Sequence, residues 1–398
     1  MNRRNAIKSL FAAAPLGLMG CSDSIDPQRY TQADRDLMEQ QRRSEQANSG
    51  KGRFGRHVYQ GYRGLAELPW FELDENDRLV CVDESIPRSI DVHCHLGMSI
   101  LFEPHLDLLK EHARTKHLLD CDASDPGCEL DLDIYINGNF TPEALETLES
   151  TLMAQGLWGS DYAETQTIPN LLREMDAMRV ETAVLLPIEF GFWFGDRQTE
   201  LWQAAVKAAQ TNRLINGFSV SPHSKDVISD LEEKVAAGGR IMKLHPTVQR
   251  FFPDDSTLDD LYQRAQELGV IVFYHGGRAG IEPDSAHPYA MPRHYESTFK
   301  NFPNLQCIIG HGGARDGDAM LELALKYPNV WLGTHGQSIS HLDKMIDATG
   351  GKQLLFGTDW PFYHLGASLA KVLITTNATE RQSIRQAILR DNAQTLLG

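Results

Sequence analysis

From residue 89 onward the chain alternates short β-branched or apolar runs with stretches of helical periodicity. Eight such runs stand out, at residues 90–95, 182–187, 214–220, 240–245, 270–275, 307–311, 330–334 and 354–359. Helical stretches follow most of them, as at 200–210, 224–237, 258–268 and 316–326. Repeated strand–helix units build a parallel sheet, and eight of them close into a (β/α)8 barrel. An open doubly wound sheet is the competing arrangement, but the glycine fingerprint of dinucleotide-binding sheets is missing. The stretch between the first two runs is long. Within it, residues 103–138 are acidic and turn-rich, which predicts a lid or flap over the barrel mouth. The fold class is thus α/β: a (β/α)8 barrel over residues 86–398 with a long insertion after its first strand.

Barrel enzymes place reactive groups at the C-terminal ends of their strands. Here those ends carry His and Asp. The first run closes on Asp91-Val92-His93-Cys94-His95, the fifth on His275, the sixth on His311 and the eighth on Asp359. Residues two apart on a strand share a face, so His93 and His95 are expected to point together into the barrel. A lone pair of this kind is more often an exposed strand feature. Four apolar strands that each end in a metal-competent side chain are another matter, because burying such groups without partners or a cation is costly.

These motifs resemble those of the amidohydrolase superfamily, in the amidohydrolase-related branch of TIM-barrel enzymes that holds both hydrolases and metal-dependent decarboxylases. The matching pieces are Asp-Val-His-Cys-His at 91–95, Met-Lys-Leu-His-Pro at 242–246, Phe-Tyr-His-Gly-Gly at 273–277, Ile-Gly-His-Gly-Gly at 309–313 and Phe-Gly-Thr-Asp-Trp-Pro at 356–361. Asn392-Ala393 is similar to the pair in the family's closing helix. The resemblance runs from about residue 88 to the C-terminus. It implies that His93 and His95 hold a metal, with His275 as third ligand and Asp359 as fourth ligand or proton shuttle. It implies that His311 is a base beside the metal. Lys243 would either bind a substrate carboxylate as an ammonium or, if carbamylated, bridge a second metal. His245 is a weaker candidate.

Three imidazoles and a carboxylate suit one divalent ion, Zn²⁺ first, with Mn²⁺ or Fe²⁺ as alternatives. Such an ion would lower the pKa of a water toward about 7, with Asp359 or His311 taking the proton. Hydrolysis of an amide, lactone or related acyl bond of a small molecule is the reading that follows. A decarboxylase on the same site is the first alternative, and a ligand-binding lipoprotein without catalysis the second. Arg278 and Arg315, after the fifth and sixth runs, could clamp a substrate carboxylate, although loop ion pairs are their commoner use. Glu189 and the aromatic cluster Phe190, Phe192, Trp193 and Phe194 could wall an apolar pocket. His335 and His364 read as ordinary polar loop residues.

The N-terminus predicts export. Arg3, Arg4 and Lys8 precede a short apolar run too short to span a bilayer, then Leu18-Met19-Gly20-Cys21. This is similar to a twin-arginine-like leader over 1–20 that ends in a lipoprotein signal, which implies a lipid on Cys21 and a place on the periplasmic side of a bacterial envelope. Membrane contact would run through that lipid alone. Residues 21–85 read as a tether and N-terminal extension. Within it, 22–53 would be solvated, with a helical turn or two around 34–43, and a short strand pair would lie at 70–72 and 79–82. Cys121 and Cys128 bracket a turn-rich hexapeptide, and outside the cytoplasm they could form a disulfide. With 38 basic against 54 acidic residues the net charge is −16, which argues against nucleic acid as a partner and leaves a small molecule.

Overall fold

The computed structural model describes residues 30–98, 106–118, 128–148, 158–190 and 197–398. The expected leader, Cys21, Cys121 and the aromatics at 192–194 lie outside the described residues. Cys128 is disulfide-bonded.

Each of the eight expected runs overlaps a strand. They are β1 Ser89–Cys94, β2 Val180–Leu185, β3 in two pieces (Leu214–Asn216 and Phe218–Ser219), β4 Ile241–Leu244, β5 Ile271–Tyr274, β6 Cys307–Ile309, β7 Val330–Gly333 and β8 Leu354–Leu355. All neighbouring pairs are parallel. The break in β3 falls at Gly217, whose N–H donates to the Leu185 carbonyl at 2.8 Å. A Cβ there would sit 2.7 Å from that same oxygen, so the close approach needs glycine. The barrel closes between β1 and the residues that follow β8: Val92 N–H donates to Phe356 O at 3.0 Å and Asp359 N–H to His93 O at 2.8 Å, and Cys94 bridges Trp360.

Side chains alternate across the strands and give two cores. Ile90, Val92, Val184, Leu186, Ile241, Ile271, Phe273, Ile308 and Leu355 fill the barrel, joined by Ala393 of the closing helix Asn392–Leu397. A second, larger core lies between the outer strand faces and the surrounding helices. Asn392 ties the closing helix to the barrel through the carbonyls of Gly351 and Leu354, both at 2.7 Å.

β1 departs from regular pairing where the chemistry starts. Between Asp91 and Cys94 its register slips against Ala183–Leu185, Val92 and His93 together opposing the single residue Val184. Ile90 and Val92 face the barrel interior, so unbroken alternation would send His93 outward. The bulge turns it inward instead, with its ring 4.7 Å from that of Phe273. His93 and His95 do converge, as expected, but through this bulge rather than through plain alternation.

The expected strand pair forms as Phe71–Leu73 against Leu79–Cys81. Of the stretch 22–53 expected to be a solvated tether, residues 22–29 lie outside the described residues and the remainder goes beyond the helical turn or two expected. Residues Gln32–Asn48 form a 17-residue helix, α1, opened by a capping box between Thr31 and Asp34. It docks on the barrel by polar contacts: Arg293 grips the Asp34 carboxylate at 2.9 and 3.0 Å, Arg35 meets Asp284 at 3.0 Å, and Tyr30 Oη lies 3.2 Å from His287 Nδ1. α1 has no buried residue along its length, so no apolar stripe announces the docking in the sequence. The described parts of the expected flap, residues 106–118 and 128–138, go to two places. Leu118 reaches the barrel mouth, where its N–H donates to Pro361 O at 3.0 Å, while Glu129–Asp131 pairs antiparallel with Val58–Gln60. Among the described residues no helix is long and apolar enough to cross a membrane.

Candidate metal centre

The C-terminal ends of the strands surround a cavity of about 200 Å³, with His93, His95, Lys243, His245, His275, His311 and Asp359 among its lining. Its wall is largely apolar, from Met98, Leu118, Ile188, Phe190, Val248, Ile281 and Phe362.

His93 Nε2 lies 3.0 Å from His95 Nε2 and 3.4 Å from Asp359 Oδ1, and His95 Nε2 lies 3.3 Å from the same oxygen. The surrounding hydrogen bonds fix what these atoms offer. His95 Nδ1 donates to the Leu186 carbonyl at 2.7 Å, so its proton is there and Nε2 bears a lone pair. His335 Nε2 accepts the His311 backbone N–H at 2.9 Å, so it also accepts from His93 Nδ1, 2.6 Å away. The His93 proton therefore sits on Nδ1 and leaves a second lone pair on Nε2. Two imidazole lone pairs and a carboxylate oxygen thus face one another in a buried space, an arrangement of acceptors without a donor among the three. A divalent cation fits this donor set, with the carbonyl and imidazole behind each ligand ring setting its tautomer.

Beneath the trio, Asp91 locks β1 to the end of β8. Its Oδ1 accepts from His93 N–H at 2.9 Å and Thr358 N–H at 3.1 Å, and its Oδ2 from Thr358 Oγ1 and from Cys94 Sγ at 3.0 Å. Burial pushes the Asp91 carboxyl up to about 6, against the pull of these donors. Asp359 itself adopts a left-handed backbone, φ 61°.

Lys243 Nζ lies 3.4 Å from His93 Nε2 and 4.7 Å from the centre of the Phe273 ring. Burial lowers its pKa to about 7, opposed by Asp359. His275 lines the cavity but stands outside the trio: its Nδ1 meets His311 Nε2 at 3.1 Å and its ring stacks on His245 at 4.1 Å. Burial first, and the crowding of titratable neighbours (Lys243 and the other histidines) next, hold His93, His245, His275 and His335 well below the usual histidine range. His311 is lowered to about 4 by burial, with Asp359 opposing. Its Nδ1 lies 3.8 Å from Asp359 Oδ2 and has no hydrogen-bond partner among the described residues.

His311 opens a run of four residues with positive φ, at 56°, 54°, 89° and 49° through Gly312 and Gly313 to Ala314. Left-handed backbone costs a residue other than glycine about 1–3 kcal/mol, and surrounding contacts must hold it. Gln337 Nε2 donates to the carbonyls of His311 and, at 2.9 Å, of Ala314. Gly277, φ 70°, packs so closely that a Cβ on it would lie 1.9 Å from the Gly313 carbonyl oxygen.

The structure commits the two candidate clamp arginines elsewhere. Arg278, fully buried, pairs with Asp316 through Nε at 2.9 Å and Nη2 at 2.6 Å, and donates to the Asp34 carbonyl of α1. Arg315 meets Glu45 of α1 at 3.4 Å and covers the Tyr135 ring. Neither lines the cavity. Glu189 pairs with Lys234, and only Phe190 of its aromatic cluster is among the described residues. His335, read as a loop residue in the sequence, is the one that orients His93. Its place at the C-terminal end of the seventh strand was the available signal.

Comparison with known proteins agrees with this architecture. The family model described as amidohydrolase matches residues 192–398. Among solved structures, the chain is similar to an uncharacterized TIM-barrel protein of Bordetella bronchiseptica, at 20% identity and TM-score 0.56, over 78% of this chain and 98% of that one. It is similar to 5-carboxyvanillate decarboxylase of Sphingomonas paucimobilis, at 13% identity and TM-score 0.50, over 78% and 98%. A probable 2-pyrone-4,6-dicarboxylic acid hydrolase of Acinetobacter baumannii aligns at 14% identity and TM-score 0.48, over 78% and 99%. No curated protein sequence matches the chain. A closed parallel barrel, a cluster of histidines and an aspartate at its strand ends, and a family match over half its length make this chain a member of the amidohydrolase family.

Proposed function

We propose that this amidohydrolase cleaves an acyl bond, such as a lactone, ester or amide, in a small molecule with an apolar body, using one divalent ion held by His93, His95 and Asp359. The observation that carries the reading is the convergence of two imidazole lone pairs and a carboxylate oxygen within 3.4 Å of one another on the floor of a largely apolar cavity. A bound divalent ion supplies Lewis acidity there, polarising an acyl oxygen and acidifying water. Zn²⁺ is favoured by the nitrogen-rich donors.

The chain's own groups do the rest. His311, kept neutral by burial, accepts a proton at its unpartnered Nδ1, and Asp359 Oδ2 beside it stabilises the imidazolium that forms. The same Nδ1 returns the proton to the leaving group. His275 holds the opposite nitrogen of His311 and so fixes the ring. Lys243, as an ammonium, binds an electron-rich oxygen of the substrate next to His93. Met98, Leu118, Ile188 and Phe362 exclude bulk water and grip the apolar body.

Arg278 and Arg315 are both held in ion pairs away from the cavity, which withdraws the guanidinium clamp that a carboxylated substrate would favour. Decarboxylation is the second reading, supported by Lys243 as a cation at the centre. Purified protein loaded with Zn²⁺ or Mn²⁺ and offered aryl lactones, esters and amides beside hydroxylated aromatic acids separates the two. Ring opening or acid release supports hydrolysis, CO₂ release supports the lyase, and inertness toward the whole panel with metal bound defeats both.

A further inference from the structure

The family match begins at residue 192, yet α1, more than a hundred residues earlier, packs against the loop that carries His311. Two of its groups reach that loop's supports. The Asp34 carbonyl accepts from Arg278 Nη1 at 2.5 Å, and Glu45 Oε2 lies 3.4 Å from Arg315 Nη1. Arg278 and Arg315 are themselves joined to each other and to the loop: Arg315 N–H donates to Arg278 O at 3.1 Å, and Asp316 accepts both the backbone N–H and the side chain of Arg278. Residues 311–314 between them hold a continuous left-handed backbone that does not persist without such restraints. Glu45 and Arg315 are both largely withdrawn from water, with side chains 23% and 5% exposed, so their attraction is screened far less than that of a surface pair.

We infer that α1 is a positioning element of the reaction centre: through Glu45 on Arg315 and the Asp34 carbonyl on Arg278 it sets the conformation of residues 311–316 and thereby the direction of the His311 imidazole. The inference rests on His311 as the base of the proposed reaction, but it concerns geometry and is tested without turnover. Glu45 and Arg315 are positioning residues, acting through the backbone of the loop.

The experiment compares the full chain with Glu45→Ala, with Glu45→Gln (nearly the same volume, no charge) and with a control, Arg264→Gln, that breaks the exposed pair Arg264 makes with Glu232 at 2.8 Å. Hydrogen exchange of the 311–315 amides and the ¹⁵N signals of the His311 ring, assigned by their loss in His311→Gln, are read in each. Loss of the Glu45 charge is expected to speed exchange at 311–315 by about tenfold and to move the His311 signals, while Arg264→Gln changes neither. If Glu45→Ala does not fold, Glu45→Gln is read by the same criteria. Faster exchange confined to residues 32–48, with the loop amides and the His311 ring signals as in the parent chain, would overturn the inference and make α1 a cover only. Failure of the substrate panel would sink the proposed reaction and leave this result standing.

Discussion

One ring nitrogen of His335 serves two histidines of the centre: His335 Nε2 accepts from His93 Nδ1 at 2.6 Å and from the backbone N–H of His311 at 2.9 Å. It sets the tautomer of the first and anchors the strained backbone of the second. Replacing it with Phe removes the acceptor that both share while keeping a ring. Metal affinity should fall by about 10–100-fold, because the group behind a ligand histidine orients it and raises its basicity. Competition with a fluorescent chelator measures the change. Unaltered affinity in His335→Phe would remove His93 from the ligand set.

His93→Ala and Asp359→Asn each take one lone pair from the trio. Elemental analysis after exhaustive dialysis should find stoichiometric divalent metal in the parent chain and well under a tenth of it in either variant, which corresponds to a binding loss of about 2 kcal/mol or more. His364→Ala, outside the cavity, should retain its metal. Full occupancy in both trio variants refutes the assignment.

Arg278→Met leaves the Asp316 carboxylate buried beside an apolar chain. Removing one partner of a buried ion pair costs about 3–5 kcal/mol, most of it the desolvation of the orphan. The urea midpoint should drop accordingly, and Arg278→Met/Asp316→Leu should recover a large part. A single variant as stable as the parent chain would show that this pair is not a structural clasp.

Acid should weaken the barrel at a definable place. Glu174 is buried beneath Trp360, accepting from its indole N–H at 3.0 Å and from His117 Nε2 at 3.2 Å. Burial alone would raise its pKa, but His117, and more weakly His364, bring it down to about 2. A folded-state value below the unfolded one stabilises the protein above about 4.5, and that contribution is lost as pH falls toward 2. Thermal midpoints taken between pH 5 and pH 2.5 should therefore fall less steeply in Glu174→Gln than in the parent chain. Parallel profiles would exclude Glu174 as a source of acid sensitivity.

The barrel was legible because its strands are apolar runs that end in polar groups, a pattern local to a few residues. His95, His275, His311 and Asp359 could be picked out on that basis. The rest depends on partners far away in the chain. His335 finds its meaning only beside His93, 242 residues before it. Arg278 and Arg315 stayed open between a substrate clamp and loop ion pairs, because Asp316 and Glu45 had no visible geometry. Of α1 only a helical turn or two around 34–43 was expected, and its docking was hidden for a related reason: salt links fasten it to the barrel and leave no apolar period to read. The bulge in β1 has no sequence signature, although it delivers the first ligand to the inside.

The contact of Gly277 with the Gly313 carbonyl welds the tails of β5 and β6 into a single tile that bears both His275 and His311. Such a tile tolerates neither an added methyl nor an inserted residue without displacing a working imidazole. Substitutions that reshape the reaction chamber without moving that tile therefore fall on the facing wall, part of which Met98 and Leu118 furnish.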